Sequence, residues 1–331
     1  MNRGLLRIVG MVLGLLLLLT TAAVPSGMAQ GNAAPRALAY GAIVMEVNTG
    51  RVLYAYHADT PLPMASTTKI MTALLCIESN RLDEWVSVPK GALSVHGSSV
   101  HLKKDETMPL MELLYGLMLP SGNDAAIAIA IAVDGSTESF CDHMNARAAE
   151  MGLLNTHYCN PHGQDAKGHC TTARELAQLA SFAMGNETFR TVVASRTHCM
   201  TSDAGARNLR NTNRLLGRYA GANGVKTGTT KNAGQCLVFA AERDGTQLCG
   251  VVLHAKDRYA AAAALLDYGF AAVALRTTLQ EAADHKRNRV CVTRTVTRPR
   301  EECQATSSIL YTGFPMQMST NPRVSRPAVS F

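Results

Sequence analysis

The sequence lacks the cysteine spacing of a structural zinc site. Its nine cysteines are scattered singly along 331 residues, without one C-x-x-C pair. One group, formed by Cys159, His162, His169 and Cys170 in the segment YCNPHGQDAKGHC, keeps a metal site open as an alternative. Because this spacing matches no standard zinc pattern, small buried thiols and ordinary loop histidines are the preferred interpretation, and no cofactor is predicted.

A hydrophobic run long enough to span a membrane is also missing from the sequence pattern after residue 29. The run from Ile8 to Ala23 has 16 residues, whereas a spanning helix needs about 20. Arginines precede this run and the small residue Ala29 follows it, so residues 1–29 predict a secretory signal peptide. We therefore expect an exported protein of the cell envelope, with an uncleaved membrane anchor as the alternative.

The charge balance is only mildly basic. Removing residues 1–29 takes away two arginines and no acid, which lowers the formal net charge from +7 to +5. This balance gives no support to nucleic-acid binding and weak support to contact with an anionic wall or lipid surface. No internal repeat is found, and the remaining length of about 300 residues predicts one large domain with an appendage.

The order of predicted elements indicates the fold class. Two β-rich runs meet at Asn48-Thr49-Gly50, and another strand pair turns at Asp244-Gly245. Helical patterns fill the chain between them, including a buried helix over residues 67–80. Strands at both ends of the domain predict one antiparallel sheet beside a helical lobe, which is an α/β fold of the α+β type.

The pattern weakens after Ala272. The segment RNRVCVTRTVTRPRE alternates like one or two strands, and the last 30 residues are rich in serine, threonine and proline. We therefore predict a main domain over residues 30–272, followed by a short β-rich segment and a weakly ordered tail over residues 273–331.

Ser66 and Lys69 form the first candidate for chemistry. They lie three positions apart at the start of the predicted helix, in the segment PMASTTKIMT, so they share one helix face. Burial disfavours the charged form of a lysine, and a neutral lysine can take the proton of a serine hydroxyl. Taken alone, the pair is better explained as a helix cap and a surface-reaching lysine.

Two further motifs change this interpretation. Ser121 and Asn123 lie in the turn LPSGNDA between two apolar helices, and Lys226, Thr227 and Gly228 lie at a strand edge in GVKTGTT. Each is an ordinary turn or strand end by itself. Together, S-x-x-K, S-x-N and K-T-G in this order are the known signature of serine penicillin-binding proteins and class A β-lactamases.

The sequence resembles the D-alanyl-D-alanine carboxypeptidases, which are low-molecular-mass penicillin-binding proteins of the DacA/DacF type and serine peptidases of family S11. The resemblance covers roughly residues 36–270 and includes LLYGLMLPSGNDAA and NTNRLLGRYAGANGVKTGTTKNAGQCLVFAAER. It implies a transpeptidase-like fold and removal of the terminal D-alanine from peptidoglycan stem pentapeptides. It also implies covalent inhibition by β-lactam antibiotics.

The resemblance implies a role for each motif residue. Ser66 is the acylated nucleophile, Lys69 is its base, and Ser121 relays the proton to the leaving D-alanine. The backbone N–H groups of Ser66 and Thr229 form the oxyanion hole. The implied substrate-binding residues are Asn123, Lys226, Thr227, Gly228 and Thr229.

Within this substrate-binding set, Asn123 holds the peptide amide. Lys226 holds Ser121 and attracts the terminal carboxylate, which the hydroxyls of Thr227 and Thr229 also bind. Gly228, without a side chain, lets the strand edge lie against the substrate.

Two other functions stay open at this point. A β-lactamase would need a deacylating carboxylate, and no E-x-x-L-N-like stretch occurs between Asn123 and Lys226. A wall-binding or sporulation protein without turnover would be expected to have lost Ser66 or Lys69, and both are present. The C-terminus MQMSTNPRVSRPAVSF shows no helical stripe, so the sequence gives no support to a membrane-bound terminal helix.

Overall fold

The computed structural model describes residues 34–35 and 39–296, with side chains as far as His285. The predicted signal peptide and the tail after Val296 lie outside the described residues. The chain divides into two compact units, Met1–Leu279 and Gln280–Phe331. The first unit holds the sheet, the helical lobe and all three motifs, whereas the described part of the second is the end of a helix.

A five-stranded antiparallel sheet forms the centre of the first unit. In order across the sheet, its strands are β2 Val52–Tyr56, β1 Ala39–Glu46, β9 Thr246–Ala255, β8 Gly234–Arg243 and β7 Ala222–Thr230. Its strands come from both ends of the domain, as the sequence predicts, and both predicted hairpins are present. Strand β7, which carries the K-T-G motif, is an edge strand of this sheet.

The helical lobe and two small two-stranded sheets occupy the chain between β2 and β7. Its helices are α1 Lys69–Glu78, α2 Leu110–Met118, α3 Asn123–Asp134, α4 Thr137–Glu150, α5 Ala173–Ala183 and α6 Glu187–Ala194. The two-stranded sheets pair β3 Trp85–Ser87 with β4 Thr107–Pro109, and β5 Thr197–Ser202 with β6 Gly205–Arg210, both antiparallel. The fold is thus the α+β architecture that the element order predicts.

Alternation along β1 assigns the two faces of the sheet. Ile43 and Met45 join the core that the sheet shares with the helical lobe. Ala42 and Val44 point to the opposite face, where they pack with Leu265 and other residues of the last helix, α7 Arg258–Val296. The sheet is therefore covered on both faces.

Helix α7 bears on two sequence-based expectations and corrects one of them. Its segment Arg258–His285 is long and apolar enough by length and composition to cross a membrane, although Leu265 and Leu266 are buried against the sheet. The helix also continues to Val296, so the predicted strands over residues 287–296 are wrong. Elongation of an existing helix needs no new nucleus, and no proline lies between Arg258 and Val296 to stop it.

Candidate active site

Ser66 and Lys69 meet at the start of α1. Ser66 lies in a 3-10 turn, Ala65–Thr68, and Lys69 is the first residue of the α-helix that follows. This local geometry brings Lys69 Nζ within 3.0 Å of Ser66 Oγ. The turn therefore places an amine at hydrogen-bond distance from a hydroxyl, as the i, i+3 spacing predicts.

Lys69 Nζ has two further partners, and both are acceptors. Asn123 Oδ1 lies 2.7 Å away and the backbone oxygen of His162 lies 2.6 Å away. A neutral amine has two N–H donors and one lone pair. A charged Lys69 would donate to all three oxygens, including Ser66 Oγ. Once neutral, its two donors match the Asn123 and His162 oxygens, and its lone pair is available to the Ser66 hydroxyl proton.

Burial and charge favour this neutral form. The Lys69 side chain is fully buried, and burial lowers its pKa well below the usual range. The neighbouring positive charge of Lys226 lowers the pKa of Lys69 further, while the carboxylate of Asp124 acts in the opposite direction. Burial, and then the charge of Arg258, also lower the pKa of Lys226 to about 7.

The S-G-N motif forms the turn between α2 and α3. Ser121 has a φ of 70°, in the left-handed region that non-glycine residues rarely adopt. Asn123 uses both ends of its amide within the protein, because Oδ1 accepts from Lys69 and Nδ2 donates to the His96 oxygen at 2.6 Å. Its implied role in binding the substrate amide stays a prediction.

Asp124 fixes the loop that faces this turn. Its buried carboxylate accepts hydrogen bonds from the backbone N–H groups of Val100 and Leu102 and from the Ser99 hydroxyl. The same loop is held by the Asn123 N–H, which donates to the Ser98 oxygen at 2.7 Å. The wall of the site beside Ser121 is therefore built by the motif itself.

Edge strand β7 forms the opposite wall. A Cβ added at Gly228 would lie 3.0 Å from the Ser66 nitrogen and 3.1 Å from the Met64 oxygen, so only glycine lets the strand approach Ser66 this closely. Thr227 Oγ1 lies 2.7 Å from the hydroxyl of Thr212. Lys226 Nζ is fully buried and donates to the Thr227 oxygen at 3.1 Å.

These walls enclose a pocket of about 370 Å³. It is lined by Ser66, Ser98, Ser121, Thr212, Arg214, Thr227, Gly228, Thr229, Gln235, Arg258 and Tyr259. The three motifs thus converge on one pocket, whereas Lys69, Asn123 and Lys226 are almost fully buried and are not among its lining residues. These described lining residues include no Asp or Glu, which gives no support to a β-lactamase with a deacylating carboxylate.

Arg258 is a charged residue of the pocket lining that sequence reasoning missed. Its guanidinium donates to Thr229 Oγ1 at 2.5 Å and to the Gly228 oxygen at 2.7 Å. It comes from the first turn of α7, 30 residues after Gly228, and no motif marks it in the sequence. The pocket therefore has a positive charge beside the two threonines that were predicted to bind a carboxylate.

The histidines of the alternative metal group have other partners. His169 Nδ1 accepts from the Cys159 backbone N–H at 3.0 Å, and His169 Nε2 lies 2.7 Å from Thr68 Oγ1. The His162 Nδ1 atom accepts from the Gln164 N–H at 3.2 Å. Among the residues that the structure describes, no three metal-binding side chains are grouped as a metal site would require.

Comparisons with known proteins agree with this geometry. A family model described as D-alanyl-D-alanine carboxypeptidase, peptidase S11, matches residues 28–257. The D-alanyl-D-alanine carboxypeptidase of Streptomyces sp. strain K15 is 39% identical over 258 residues, which cover 72% of this chain and 89% of the relative. DacF of Bacillus subtilis is 35% identical over 241 residues, which cover 70% of this chain and 62% of the relative.

Solved structures give the same result for the fold. The crystal structure of the Streptomyces K15 DD-transpeptidase matches with a TM-score of 0.69 and 39% sequence identity, and the match covers 72% of this chain and 99% of that chain.

Proposed function

The chain belongs to the D-alanyl-D-alanine carboxypeptidase family of serine hydrolases, and on that premise we propose that Ser66 removes the terminal D-alanine from peptidoglycan stem peptides. The observation that carries this assignment is the arrangement around Lys69 Nζ, with two acceptors and the Ser66 hydroxyl at 3.0 Å. An amine held in this way can accept the serine proton without any further base.

Acylation then follows with balanced proton transfers. Ser66 Oγ attacks the carbonyl carbon of the penultimate D-alanine while its proton passes to Lys69 Nζ. The peptide bond breaks, and the leaving D-alanine nitrogen takes a proton from Lys69 through the Ser121 hydroxyl, which faces the same pocket. Water then attacks the ester, and Ser66 regains a proton as the shortened peptide leaves.

The terminal carboxylate of the substrate binds at the other end of the pocket. Thr227 and Thr229 offer hydroxyls there, and the Arg258 guanidinium supplies the positive charge. We propose that Arg258 attracts the carboxylate directly, whereas buried Lys226 only makes the electrostatic potential of the site more positive. A β-lactam carries a carboxylate next to its reactive amide and would bind in the same way as a covalent inhibitor.

The proposed substrate also fixes the compartment in which the protein acts. Peptidoglycan stem peptides lie outside the cytoplasmic membrane, which agrees with the signal peptide predicted over residues 1–29. We propose that the mature protein begins near Gln30 and acts in the cell envelope.

Penicillin labelling tests the nucleophile. A labelled penicillin should modify the peptide that contains Ser66, and neither Ser66→Ala nor Lys69→Ala should form the adduct at a measurable rate. Ser136→Ala is the matched control, because Ser136 is a serine at another helix start that caps α4, and this variant should label normally. An adduct at a different residue would contradict the assignment.

A second measurement separates carboxypeptidase from β-lactamase. The purified protein should release D-alanine from a peptide that ends in D-Ala-D-Ala and should turn over a chromogenic cephalosporin slowly after the first equivalent. Rapid multiple turnover of the cephalosporin without D-alanine release would favour the β-lactamase.

A further inference from the structure

The peptide unit between Ala65 and Ser66 has an unusual environment. Ala65 has a φ of 49°, a left-handed conformation that is uncommon for alanine. Its carbonyl oxygen accepts a hydrogen bond from Thr68 Oγ1 at 2.8 Å. In a trans peptide the C=O and the following N–H point in opposite directions. Whatever fixes the Ala65 oxygen therefore also fixes the direction of the Ser66 N–H.

A threonine hydroxyl that bonds to a preceding backbone oxygen is common in helices, and the Thr67 hydroxyl also does so with the Met64 oxygen. Thr68 differs because a second side chain reaches it. His169 Nε2 lies 2.7 Å from Thr68 Oγ1, across 101 positions of sequence and within the buried interior. The Thr68 hydroxyl is thus held from both sides.

The protonation of His169 gives this chain of hydrogen bonds a direction. Its Nδ1 accepts from the Cys159 backbone N–H at 3.0 Å, so Nδ1 carries no proton. Nε2 therefore carries the proton and donates to Thr68 Oγ1, which in turn donates to the Ala65 oxygen. Burial, and then the charge of His157, lower the pKa of His169 to about 4, which keeps the ring neutral at ordinary pH.

Two glycines allow neighbouring segments to approach this peptide closely from both sides. A Cβ at Gly163, which has a φ of 88°, would collide with the Ala65 oxygen and would lie 2.8 Å from Thr68 Oγ1. On the other side, Gly228 of β7 approaches the Ser66 nitrogen. The peptide is therefore held on its oxygen side by the loop of Gly163 and His169, and its N–H side faces the strand that lines the pocket.

We infer that Thr68 and His169 are positioning residues that fix the Ala65–Ser66 peptide, so that the Ser66 N–H points at the oxyanion formed during acylation. The inference rests on the proposed function, because it needs Ser66 to be the nucleophile. The first N–H groups of a helix have no partner within it and can stabilise such a charge. Neither side chain need touch the substrate for this effect.

Thr68→Val tests the inference, since valine keeps the shape and removes the hydroxyl. Loss of a whole oxyanion donor costs about 10²–10³ in kcat. A donor that is only misdirected should cost less, so we expect acylation to slow roughly 10- to 100-fold, with KM within about twofold of wild type. Thr68→Ser keeps the hydroxyl and should restore most of the rate.

Thr72→Val is the matched control. Thr72 is fully buried one turn further along α1, and its hydroxyl donates to the Pro161 oxygen of the same loop at 2.6 Å. The Thr72→Val variant loses a comparable buried hydrogen bond, but this bond does not involve the Ala65–Ser66 peptide. The midpoint temperature of thermal unfolding should fall by a similar amount in Thr68→Val and Thr72→Val, while the acylation rate should fall only in Thr68→Val.

Two additional readouts distinguish positioning from general damage. A peptide boronic acid, whose boronate oxygen occupies the oxyanion position, should lose affinity in Thr68→Val by the same factor as the acylation rate. The pH midpoint of acylation should stay at the wild-type value, because the partners of Lys69 are unchanged. His169→Phe should produce the same loss as Thr68→Val, and the double variant should be no slower than either.

Wild-type acylation in a folded Thr68→Val protein would overturn the inference and leave the proposed function intact. Equal rate losses in Thr68→Val and Thr72→Val would also overturn it. Failure of the wild-type protein to form a penicillin adduct at Ser66 would instead contradict the proposed function.

Discussion

Arg258→Leu offers a direct test of how the substrate carboxylate is recognised. The Arg258 guanidinium lines the pocket and donates to Thr229 Oγ1 at 2.5 Å, to the Gly228 oxygen at 2.7 Å and to the Cys236 oxygen at 3.0 Å. Burial lowers its pKa somewhat from the usual 12.5, and the group stays charged at neutral pH. A carboxylate beside Thr229 would therefore meet a fixed cation.

The size of the effect follows from the interaction that is lost. A hydrogen bond to a charged group contributes about 1.5–3 kcal/mol, and 1.4 kcal/mol is a factor of ten. Arg258→Leu should therefore lower kcat/KM for a peptide ending in D-Ala-D-Ala roughly 10- to 100-fold. The leucine also leaves the Gly228 and Cys236 oxygens without this donor, so part of any loss could come from distortion of β7.

A substrate with a terminal carboxamide separates recognition from distortion. The wild-type protein should prefer the carboxylate over the carboxamide roughly 10- to 100-fold, and Arg258→Leu should have little preference. Distortion alone would slow both substrates and keep the preference. Arg214→Leu is the matched control, because it removes another positive charge from the pocket lining, and it should keep the preference. Loss of the preference in Arg214→Leu but not in Arg258→Leu would refute the reasoning.

Two pH-dependent predictions follow from other charged groups. In Lys226→Ala the positive neighbour of Lys69 is gone, so the pKa of Lys69 should rise and the midpoint of the acylation rate should move to higher pH; coincident midpoints would contradict this role. Burial raises the pKa of Glu106, but hydrogen bonds from Arg207 and Ser202 outweigh it and lower that pKa from 4.5 to about 2. This contribution to the free energy of unfolding is present above pH 4.5 and is lost as the pH falls towards 2. When the pH is lowered from 6 to 3, the free energy of unfolding measured with urea should therefore fall by about 2 kcal/mol more in wild type than in Glu106→Gln.

The sequence predicted the parts of the site that are local. Ser66 and Lys69 lie on one helix turn, and the turn at Ser121 and the strand at Lys226 were predicted as such, because each motif fixes its own short-range geometry. The antiparallel sheet from both ends of the domain was likewise predicted from the order of the elements.

The parts that sequence reasoning missed depend on contacts between distant segments. Arg258 reaches Thr229 only because α7 begins beside the end of β7, and nothing in the sequence states that proximity. His169 was considered only as a metal ligand, because the sequence does not reveal its contact with Thr68, which lies 101 positions away. The predicted strands over residues 287–296 failed because local alternation was given more weight than the helix that precedes them.

The burial of a lysine beside Ser66, the proposed nucleophile, has a chemical consequence. In the proposed mechanism Lys69 is neutral before reaction, so that its N–H groups donate to the oxygens of Asn123 and His162 and its lone pair accepts from the Ser66 hydroxyl 3.0 Å away. Once it takes the serine proton, it becomes a buried cation near Lys226, a state that both burial and like charge disfavour. The same environment that lowers the pKa of Lys69 and favours its neutral form therefore makes its protonated form a stronger acid than an ordinary lysine. In this proposal the proton then passes to the leaving D-alanine nitrogen, and Lys69 is again neutral when water attacks the ester.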